Sequence, residues 1–362
     1  MLRKILKRLF NEFRNPSYDF SMRIIHNFHF LLSKINIFNN KNFNKGVLIW
    51  DIRSNPITFD IIYLVYLAYI FFCNRNIKVF EVLVFIPKNY IFKSISFGGY
   101  SNFVTEKDLE KRIHNLLIPI LSSFNCITKV TIIKDRKTLL NNYKLKVTYP
   151  ELYNPYYYFP SGFYSYKIMY KSLKINKINN PYLLTTISLY EILSSLSLKH
   201  EINEYITFTL RDYGYEPKRN SSSSQIKLVY NFSKHINKKL ILIPDKILEL
   251  KNYEIPSDVL IDINARNDIK RRIALYKYSK VNIFMQAGPA DLSHFIKGSK
   301  TIILNWGVPS FDGSIKFIEK EYGLKYNEQP YLKLSGFLIW YKNKGNISNK
   351  DLMNAYLQVK GS

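Results

Sequence analysis

The chain has 362 residues, 47% of them hydrophobic, which predicts two domains of roughly 150 to 200 residues with packed interiors. Its 53 lysine and arginine residues against 27 acidic ones give a formal net charge of +26. Such a balance ordinarily suggests a polyanion or an anionic membrane; here we assign it mainly to surface charge and second to a membrane preference. The two cysteines, Cys73 and Cys126, both lie among apolar residues. They are predicted to be buried thiols in a reducing compartment, and two cysteines exclude a disulfide framework or a cysteine-based metal site.

The N-terminal segment, residues 1–45, is predicted to be helical, basic and amphipathic. Its first apolar side chains recur at spacings that place them on one helical face, and basic side chains occupy the rest. Such a helix can lie in the interface of an anionic membrane, as a peripheral anchor, or pack on its own domain, and both interpretations stay open. The segment has no continuous apolar core and no small-residue cleavage site, so it is not a secretory signal. The apolar face consists of Leu2, Ile5, Leu6, Leu9, Phe10 and Phe13.

Residues 46–180 are predicted to form a first α/β domain, because near-continuous apolar strands alternate with a helix, as in βαβ units with parallel strands. The longest uncharged run, 61–73, has 13 residues, well short of the ~20 needed to cross a bilayer, so it is predicted to be a buried helix. An aromatic stretch at 149–170 predicts a domain boundary or a lid. The predicted strands are 46–50, 78–86 and 128–133, and the predicted helices are 57–73 and 108–122.

Residues 181–362 are predicted to form a second α/β domain after a connecting helix over 181–198. The alternation of strands and helices is regular and again indicates a parallel sheet. The predicted strands are 205–210, 239–243, 281–285, 300–304 and 337–341, and the predicted helices are 222–236, 267–278, one starting near Ala290 and one starting at Asn349.

Two strand ends of the second domain carry residues suited to an anionic ligand. The first is the loop 211–220, which holds Arg211, Arg219 and Asn220 before a Ser-capped helix. The second is the small-residue turn 286–290, which leads into another helix. Because the carboxyl ends of parallel strands meet at one edge of a sheet, cations and helix N–H groups from these loops are predicted to bind a diphosphate. The alternative is a pair of ordinary connections with solvated charges.

Three segments together resemble bacterial GT-B-type glycosyltransferases of surface-polysaccharide gene clusters. They are Ile49-Trp50-Asp51-Ile52-Arg53 with Pro56 and Thr58-Phe59-Asp60; Thr207-Phe208-Thr209-Leu210-Arg211 with Pro217, Arg219 and Asn220; and Gly288-Pro289-Ala290 followed by Thr301-Ile302-Ile303-Leu304-Asn305-Trp306. The likeness covers most of residues 46–310. It implies two Rossmann-like domains that face each other across a cleft, with the nucleotide-sugar donor held by the second and the acceptor by the first.

The resemblance also implies roles for individual residues. Arg211, Arg219 and Asn220 would bind the donor diphosphate. The nucleotide or sugar would lie against Gly288, Pro289, Ala290 and Asp291.

Inverting transfer needs a general base that faces the cleft. On the acceptor side, Asp51 follows the first strand directly, whereas Asp60 opens the next helix, where a carboxylate is also favoured by the helix dipole. Asp51 can instead pair with Arg53, a second acceptor-side candidate, or cap the turn that follows. His294, near the donor edge, is the other candidate base, although a lone histidine is more often structural.

No Asp-x-Asp motif occurs, so transfer is predicted to be metal-independent, and no cofactor is expected beyond the donor substrate. Walker, dinucleotide-glycine and nucleophile-elbow patterns are also missing from the sequence. The expected protein is a cytoplasmic glycosyltransferase, peripheral on the inner membrane, that acts on a lipid-linked surface-glycan acceptor. One alternative is a non-catalytic GT-B-like scaffold that binds a glycan or a partner. A basic nucleic-acid-binding protein is less favoured because the cationic residues are spread along the whole chain, so no nucleic acid is expected as a partner.

Overall fold

The computed structural model describes residues 44–87, 106–151, 153, 155, 181–196, 204–244, 250–306, 337–342 and 347–360, apart from residues 54, 56, 215, 216 and 286. The predicted N-terminal helix and most of the aromatic stretch at 149–170 lie outside the described residues. We call residues 44–155 the first half and residues 204–360 the second half. Each half contains one parallel sheet.

The first half is built on a four-stranded parallel sheet. Its strands are β1 (Gly46–Asp51), β2 (Phe80–Phe85), β3 (Ile127–Ile133) and β4 (Val147–Tyr149), and its described α-helices are α1 (Ile61–Cys73), α2 (Glu106–Arg112), α3 (Ile118–Ser123) and α4 (Arg136–Tyr143). A π-helical turn, Ile113–Leu117, joins α2 to α3. The strand order is β3-β2-β1-β4, and β1 is buried along its whole length because helices cover both faces of such a sheet.

Helix α1 matches the uncharged run that the sequence singled out. It spans Ile61–Cys73, and nine of its residues are buried, which confirms the prediction of a buried helix. Among the described residues, no helix combines the length and the apolarity that a membrane crossing requires. Both cysteines carry free thiols; Cys126 is buried as predicted, whereas Cys73 at the end of α1 is partly exposed.

The second half is built on a six-stranded parallel sheet. Its strands are β5 (Tyr205–Thr209), β6 (Lys239–Ile243), β7 (Leu260–Ile261), β8 (Asn282–Met285), β9 (Lys300–Trp306) and β10 (Phe337–Lys342); helix α5 (Leu189–Ser195) precedes them, and α6 (Ser223–His235), α7 (Ile269–Tyr278), α8 (Gly288–His294) and α9 (Asn349–Lys360) follow in chain order. The strand order is β10-β9-β8-β5-β6-β7. Numbered within the half and read from the β7 edge, it is the 3-2-1-4-5-6 order of doubly wound Rossmann sheets.

The predicted connecting helix over 181–198 is wrong for its first eight residues. Residues 181–188 form an extended segment, which we call the strap, and only Leu189–Ser195 is helical. Ser188 starts this helix with a capping box to Glu191, a stronger start signal than the apolar pattern before it. Helix α4 and the short strands β4 and β7 were not predicted, because elements of two to eight residues with few buried side chains carry little periodicity.

The two halves meet through a continuous apolar contact. Phe295, which follows α8 and is fully buried, packs edge-on against the rings of Tyr63, Tyr66 and Phe124 from the first half at centroid distances of 6.4, 6.1 and 5.8 Å. The strap adds backbone bonds on both sides: Leu183 N–H donates to the Phe295 carbonyl at 2.8 Å, and Leu184 N–H donates to the Ser123 carbonyl at 2.7 Å. This junction fixes the loops at the strand ends of one half opposite those of the other.

Candidate active-site cleft between the two sheets

Sheet topology brings the predicted ligand-binding loops together. In the second half, β5 and β8 are neighbours, so the loops that follow them lie side by side at the switch point of the sheet. In the first half the switch point falls between β1 and β4. Ligands of open α/β sheets bind outside the carboxyl ends of strands at such points. The residues in these loops therefore define the candidate site.

The loop after β5 is held closed by its own side chains. The Asn220 side-chain oxygen accepts a bond from the Arg211 guanidinium and another from the Tyr213 N–H at 3.1 Å, and the Asn220 amide donates to the Tyr213 carbonyl at 3.2 Å. Arg211 and Ser221 exchange two further bonds through backbone groups and the Ser221 hydroxyl. Arg211 is only 6% exposed. The geometry thus gives Arg211 and Asn220 a clear part in shaping the loop.

Arg219 is the cation of this loop that acts across the site. It ends the 3₁₀ turn Pro217–Arg219, is partly exposed, and its positive charge acts on the carboxyl of Asp291. The neighbouring N-terminus of α6 is already capped, because the Ser222 hydroxyl accepts from the Gln225 N–H and the Gln225 side-chain oxygen accepts from the Ser222 N–H at 2.9 Å. Among the side chains of this loop that the structure describes, Arg219 is thus a partly exposed cation whose charge reaches Asp291.

The turn before α8 packs directly against the first half. A Cβ atom at Gly288 would lie 2.6 Å from Cδ2 of Phe59, so only glycine allows this approach. Pro289 occupies the first turn of α8, and Ala290 is buried with 1% exposure. These small residues, predicted to line a nucleotide or sugar pocket, also set the spacing between the two halves.

Asp291 lies at the junction with its side chain 19% exposed. The hydroxyl of Tyr63, on α1 of the first half, donates a hydrogen bond to its carboxyl group. Burial, reinforced by the negative charge of Asp60, raises the pKa of Asp291 to about 8, although the Tyr63 hydrogen bond and Arg219 both act to lower it. The carboxyl group is consequently neutral at pH 7.

His294 lies inside the fold rather than on the cleft surface. Its side chain is 1% exposed, and Nδ1 is 3.9 Å from Asp291 Oδ1. Burial lowers the pKa of His294 to about 3, so the imidazole is uncharged at neutral pH and forms no ion pair with Asp291. This environment matches a structural histidine better than the general base that the sequence offered as one possibility.

Asp60 stands at the N-terminal end of α1, facing the same site from the first half. Its backbone N–H donates to the Thr58 hydroxyl at 3.3 Å, and that hydroxyl donates to the Asp60 carboxylate at 2.9 Å. The carboxylate does not cap the helix through a side-chain bond to a backbone N–H. It is half-buried and close enough to Asp291 for its charge to act there.

Asp51 and Arg53 form a separate cluster at the end of β1. The Arg53 guanidinium donates to both Asp51 carboxylate oxygens, with Nη2 2.6 Å from Oδ2, and the Tyr153 hydroxyl donates to Oδ2 at 2.7 Å. Both charged side chains are nearly buried, at 4% and 11% exposure. Burial alone would lower the pKa of Arg53, but the hydrogen bond to Asp51 and the negative charge of Asp51 raise that pKa above its usual value. Of the alternatives that the sequence permits for Asp51, the geometry corresponds to the ion pair with Arg53. That pairing leaves Asp51 and Arg53 poorly placed to act on an acceptor.

Sequence reasoning missed the residues that join the halves. Tyr63 and Phe59 are two, and Arg112 is a third, since it donates to the Ile57 carbonyl at 3.3 Å and to the Tyr213 hydroxyl at 3.4 Å. The π-helical turn after α2 directly follows Arg112, a feature that often marks functional sites. Only Tyr63 carried a usable signal, because it lies three residues after Asp60 and so on the same side of α1.

Within the described residues, no group of three or more His, Cys, Asp or Glu side chains could hold a metal ion.

No protein-family model and no curated protein sequence matches the chain. Among solved structures, the glycosyl transferase family 9 protein from Veillonella parvula DSM 2008 aligns with a TM-score of 0.54 and 10% identity over 88% of this chain and 98% of that one. The E. coli ADP-heptose lps heptosyltransferase II aligns with a TM-score of 0.49 and 11% identity over 88% of this chain and 100% of that one. At these identities the likeness concerns the fold, and the first alignment, with its TM-score of 0.54, supports that fold. The chain has the α/β fold of two facing Rossmann-like sheets, the GT-B-like architecture that the sequence predicted.

Proposed function

We propose that the protein is a glycosyltransferase that moves a sugar from a nucleotide-sugar donor, bound by the second half, to an acceptor bound by the first. The observation that carries this proposal is that the charges of Arg219, from the second half, and of Asp60, from the first, both act on Asp291 at the strand ends of two Rossmann-like sheets. Arg219 supplies a cation for a diphosphate, and Asp60 supplies a carboxylate from the opposite half. The two chemical requirements of transfer to a hydroxyl group are thus met from opposite sides.

Asp60 is the base in this proposal, and Asp51 and His294 are not. Asp60 would take the proton of the acceptor hydroxyl while the oxygen of that hydroxyl forms a bond to the anomeric carbon of the donor. The bond from that carbon to the diphosphate breaks, and the nucleoside diphosphate leaves with the electron pair. Asp51 is held by Arg53 and Tyr153, and His294 is almost fully buried, so neither side chain is placed to reach an acceptor.

The negative charge of the leaving diphosphate needs compensation in the second half. Arg219 provides it directly, with Arg211 and Asn220 holding the loop that carries it. Asp291 is compatible with this site because its carboxyl group, with a pKa of about 8, is neutral at pH 7 and does not repel phosphate. We infer that no metal ion is required and that the donor is the only cofactor-like molecule involved.

The acceptor is proposed to be a surface-glycan precursor carried by a lipid at the inner face of the cytoplasmic membrane. The net charge of +26 and the basic amphipathic pattern of residues 1–14 support binding to an anionic lipid surface. In this proposal the protein is cytoplasmic and peripheral.

The proposal is tested by thermal unfolding of the full-length protein with ADP-, UDP-, GDP- and CMP-sugars, each measured against an oligonucleotide of the same concentration. A ligand at about 100 times its Kd adds roughly 2.7 kcal/mol of stability, enough to raise Tm by several degrees. The sugar nucleotide that raises Tm is then used as donor in a transfer assay with membrane lipid extract. If only the oligonucleotide raises Tm, or if none of the ligands does, the result would contradict the proposed function.

Arg219→Ala is the decisive variant. We expect it to weaken donor binding about 10- to 100-fold, because a hydrogen bond to a charged group contributes about 1.5–3 kcal/mol. Lys239→Ala is the matched control, since Lys239 is an exposed cation at the opposite end of the strands of the same sheet. Equal losses in both variants would show that general surface charge, rather than the cleft, binds the donor.

A further inference from the structure

A hydrogen bond between side chains joins the two halves at the candidate site. Tyr63 on α1 donates its hydroxyl proton to Asp291 on α8. Tyr63 is 3% exposed, and its ring packs edge-on against Phe295 at an interplanar angle of 67°. The ring is therefore fixed by apolar packing, and the hydroxyl is fixed with it, pointing from one half to the other.

Asp291 lies in a place that is unfavourable for a carboxylate. From the first half it is faced by the negative charge of Asp60 and by the Tyr63 hydroxyl. From the second half it is faced by Arg219 and, on its own helix, by the uncharged His294. Burial and Asp60 both oppose ionisation, while Tyr63 and Arg219 favour it. Of the two favourable groups, Tyr63 alone comes from the opposite half.

We propose that Tyr63 is a positioning residue that holds Asp291 at the junction of the two halves through the hydrogen bond from its hydroxyl group. Tyr63 acts through Asp291 and needs no contact with the reacting atoms. Together with the close packing of Gly288 on Phe59, its hydroxyl holds the first turn of α8 against α1, and therefore the donor-side loop relative to Asp60. For its effect on transfer this inference rests on the proposed function, whereas its effect on the junction does not.

The chemistry of the pair predicts a pH signature. At pH values well below its pKa of about 8, the Asp291 carboxyl is neutral and its bond to Tyr63 is an ordinary one. Above that pH the carboxyl is ionised, and hydrogen bonds to charged groups are roughly twice as strong as neutral ones. The contribution of the Tyr63 hydroxyl should therefore rise with pH, a pattern that loss of ring packing would not produce.

The test is thermal unfolding of the full-length protein and its Tyr63→Phe variant at about pH 6 and about pH 9.5, on either side of the Asp291 pKa. We expect the Tm loss from Tyr63→Phe to be roughly twice as large at the higher pH. In an Asp291→Asn background, the Tm loss from Tyr63→Phe should be the same at both pH values, because the titrating group is gone.

Tyr66→Phe is the matched control. Tyr66 lies one turn further along α1, is buried and packs against the same Phe295 ring, but no hydrogen bond joins it to Asp291. Its Tm loss should not change with pH. Equal Tm losses from Tyr63→Phe at the two pH values, or a pH dependence that persists in the Asp291→Asn background, would overturn the proposal.

A kinetic measurement separates this inference from the proposed function. With any nucleotide-sugar that supports transfer, Tyr63→Phe should lower kcat more at about pH 9 than at about pH 6, and Asp291→Asn should remove that difference. If no nucleotide-sugar is turned over, the proposed function fails while the unfolding result still decides the role of Tyr63. If transfer occurs but Tyr63→Phe leaves the pH profile of kcat unchanged, the positioning role is wrong and the proposed function stands.

Discussion

Asp291→Asn is expected to stabilise the protein at neutral pH. The pKa of this carboxyl is raised from 3.8 to about 8 because burial, and then Asp60, disfavour its charge. At pH 7 the folded protein must keep a proton that the unfolded chain has lost. Each pKa unit corresponds to about 1.4 kcal/mol, so the roughly three units between 3.8 and 7 set an upper limit of about 4 kcal/mol on the cost.

The measurable gain should be smaller than this limit. The Asp291 side chain is 19% exposed, and small rearrangements can hydrate it, so we expect a gain of about 1–2 kcal/mol in the free energy of unfolding. Asparagine is nearly the same size, is neutral at every pH, and can still bond to the Tyr63 hydroxyl. The sign follows from the raised pKa of Asp291. The protein with Asp291 keeps its full stability below pH 3.8 and loses part of it as pH rises toward 8, because the unfolded chain then releases a proton that the folded protein retains.

The assay is urea or thermal unfolding of both proteins at a series of pH values from about 4 to about 9, with the difference taken at each pH. That difference should be near zero at the acid end and grow toward neutral pH. Asp258→Asn is the control: the exposed Asp258 carboxylate has a lowered pKa through its bond to Lys234, so its replacement should not stabilise. A less stable Asp291→Asn variant at pH 7, or a gain that does not shrink with acidification, would refute the reasoning.

Three further predictions concern the junction, the membrane and the metal. Gly288→Ala should lower Tm and transfer because its Cβ would lie 2.6 Å from Phe59, and adding Phe59→Leu should recover part of the loss; an unchanged Tm in the single variant would contradict the contact. Deleting residues 1–14 should release the protein from anionic vesicles in cosedimentation without lowering Tm, and salt should weaken vesicle binding of the intact chain. A Tm loss of many degrees would place that apolar face in the core. Transfer should survive EDTA because Arg219 can offset the diphosphate charge. Loss of transfer on chelation, restored by Mg²⁺ or Mn²⁺, would contradict the metal-independent mechanism.

Regular elements of the fold were predictable wherever local signals agreed. Strand β6 has the predicted bounds, because an apolar run lies between a lysine and a proline. Helix α6 begins within one residue of the prediction, because Ser222 and Gln225 form a capping box. The strap was mistaken for helix, because its leucines fit an apolar pattern while their backbone bonds go to Ser123 and Phe295, which lie far away in the sequence.

The candidate site was predictable only in part. The place of Arg219 at the carboxyl edge of a parallel sheet was predictable from the alternation of elements, whereas its place at the switch point depends on a strand order that was not predicted. The role of Asp51 could not be decided, because the same short sequence permits a free carboxylate or the observed pair with Arg53. The contact between Tyr63 and Asp291 joins residues 228 positions apart, and no local pattern encodes such a contact.

The position of Phe295 has a consequence for dividing the chain. A fragment that ends before residue 181 would carry Tyr63, Tyr66 and Phe124 without the ring that covers them. It would also lack the strap that pairs with the backbone at Ser123. Such a fragment should expose an aromatic surface and self-associate. We therefore expect the two halves to be expressible only as one chain, and the intact protein to unfold in a single cooperative transition.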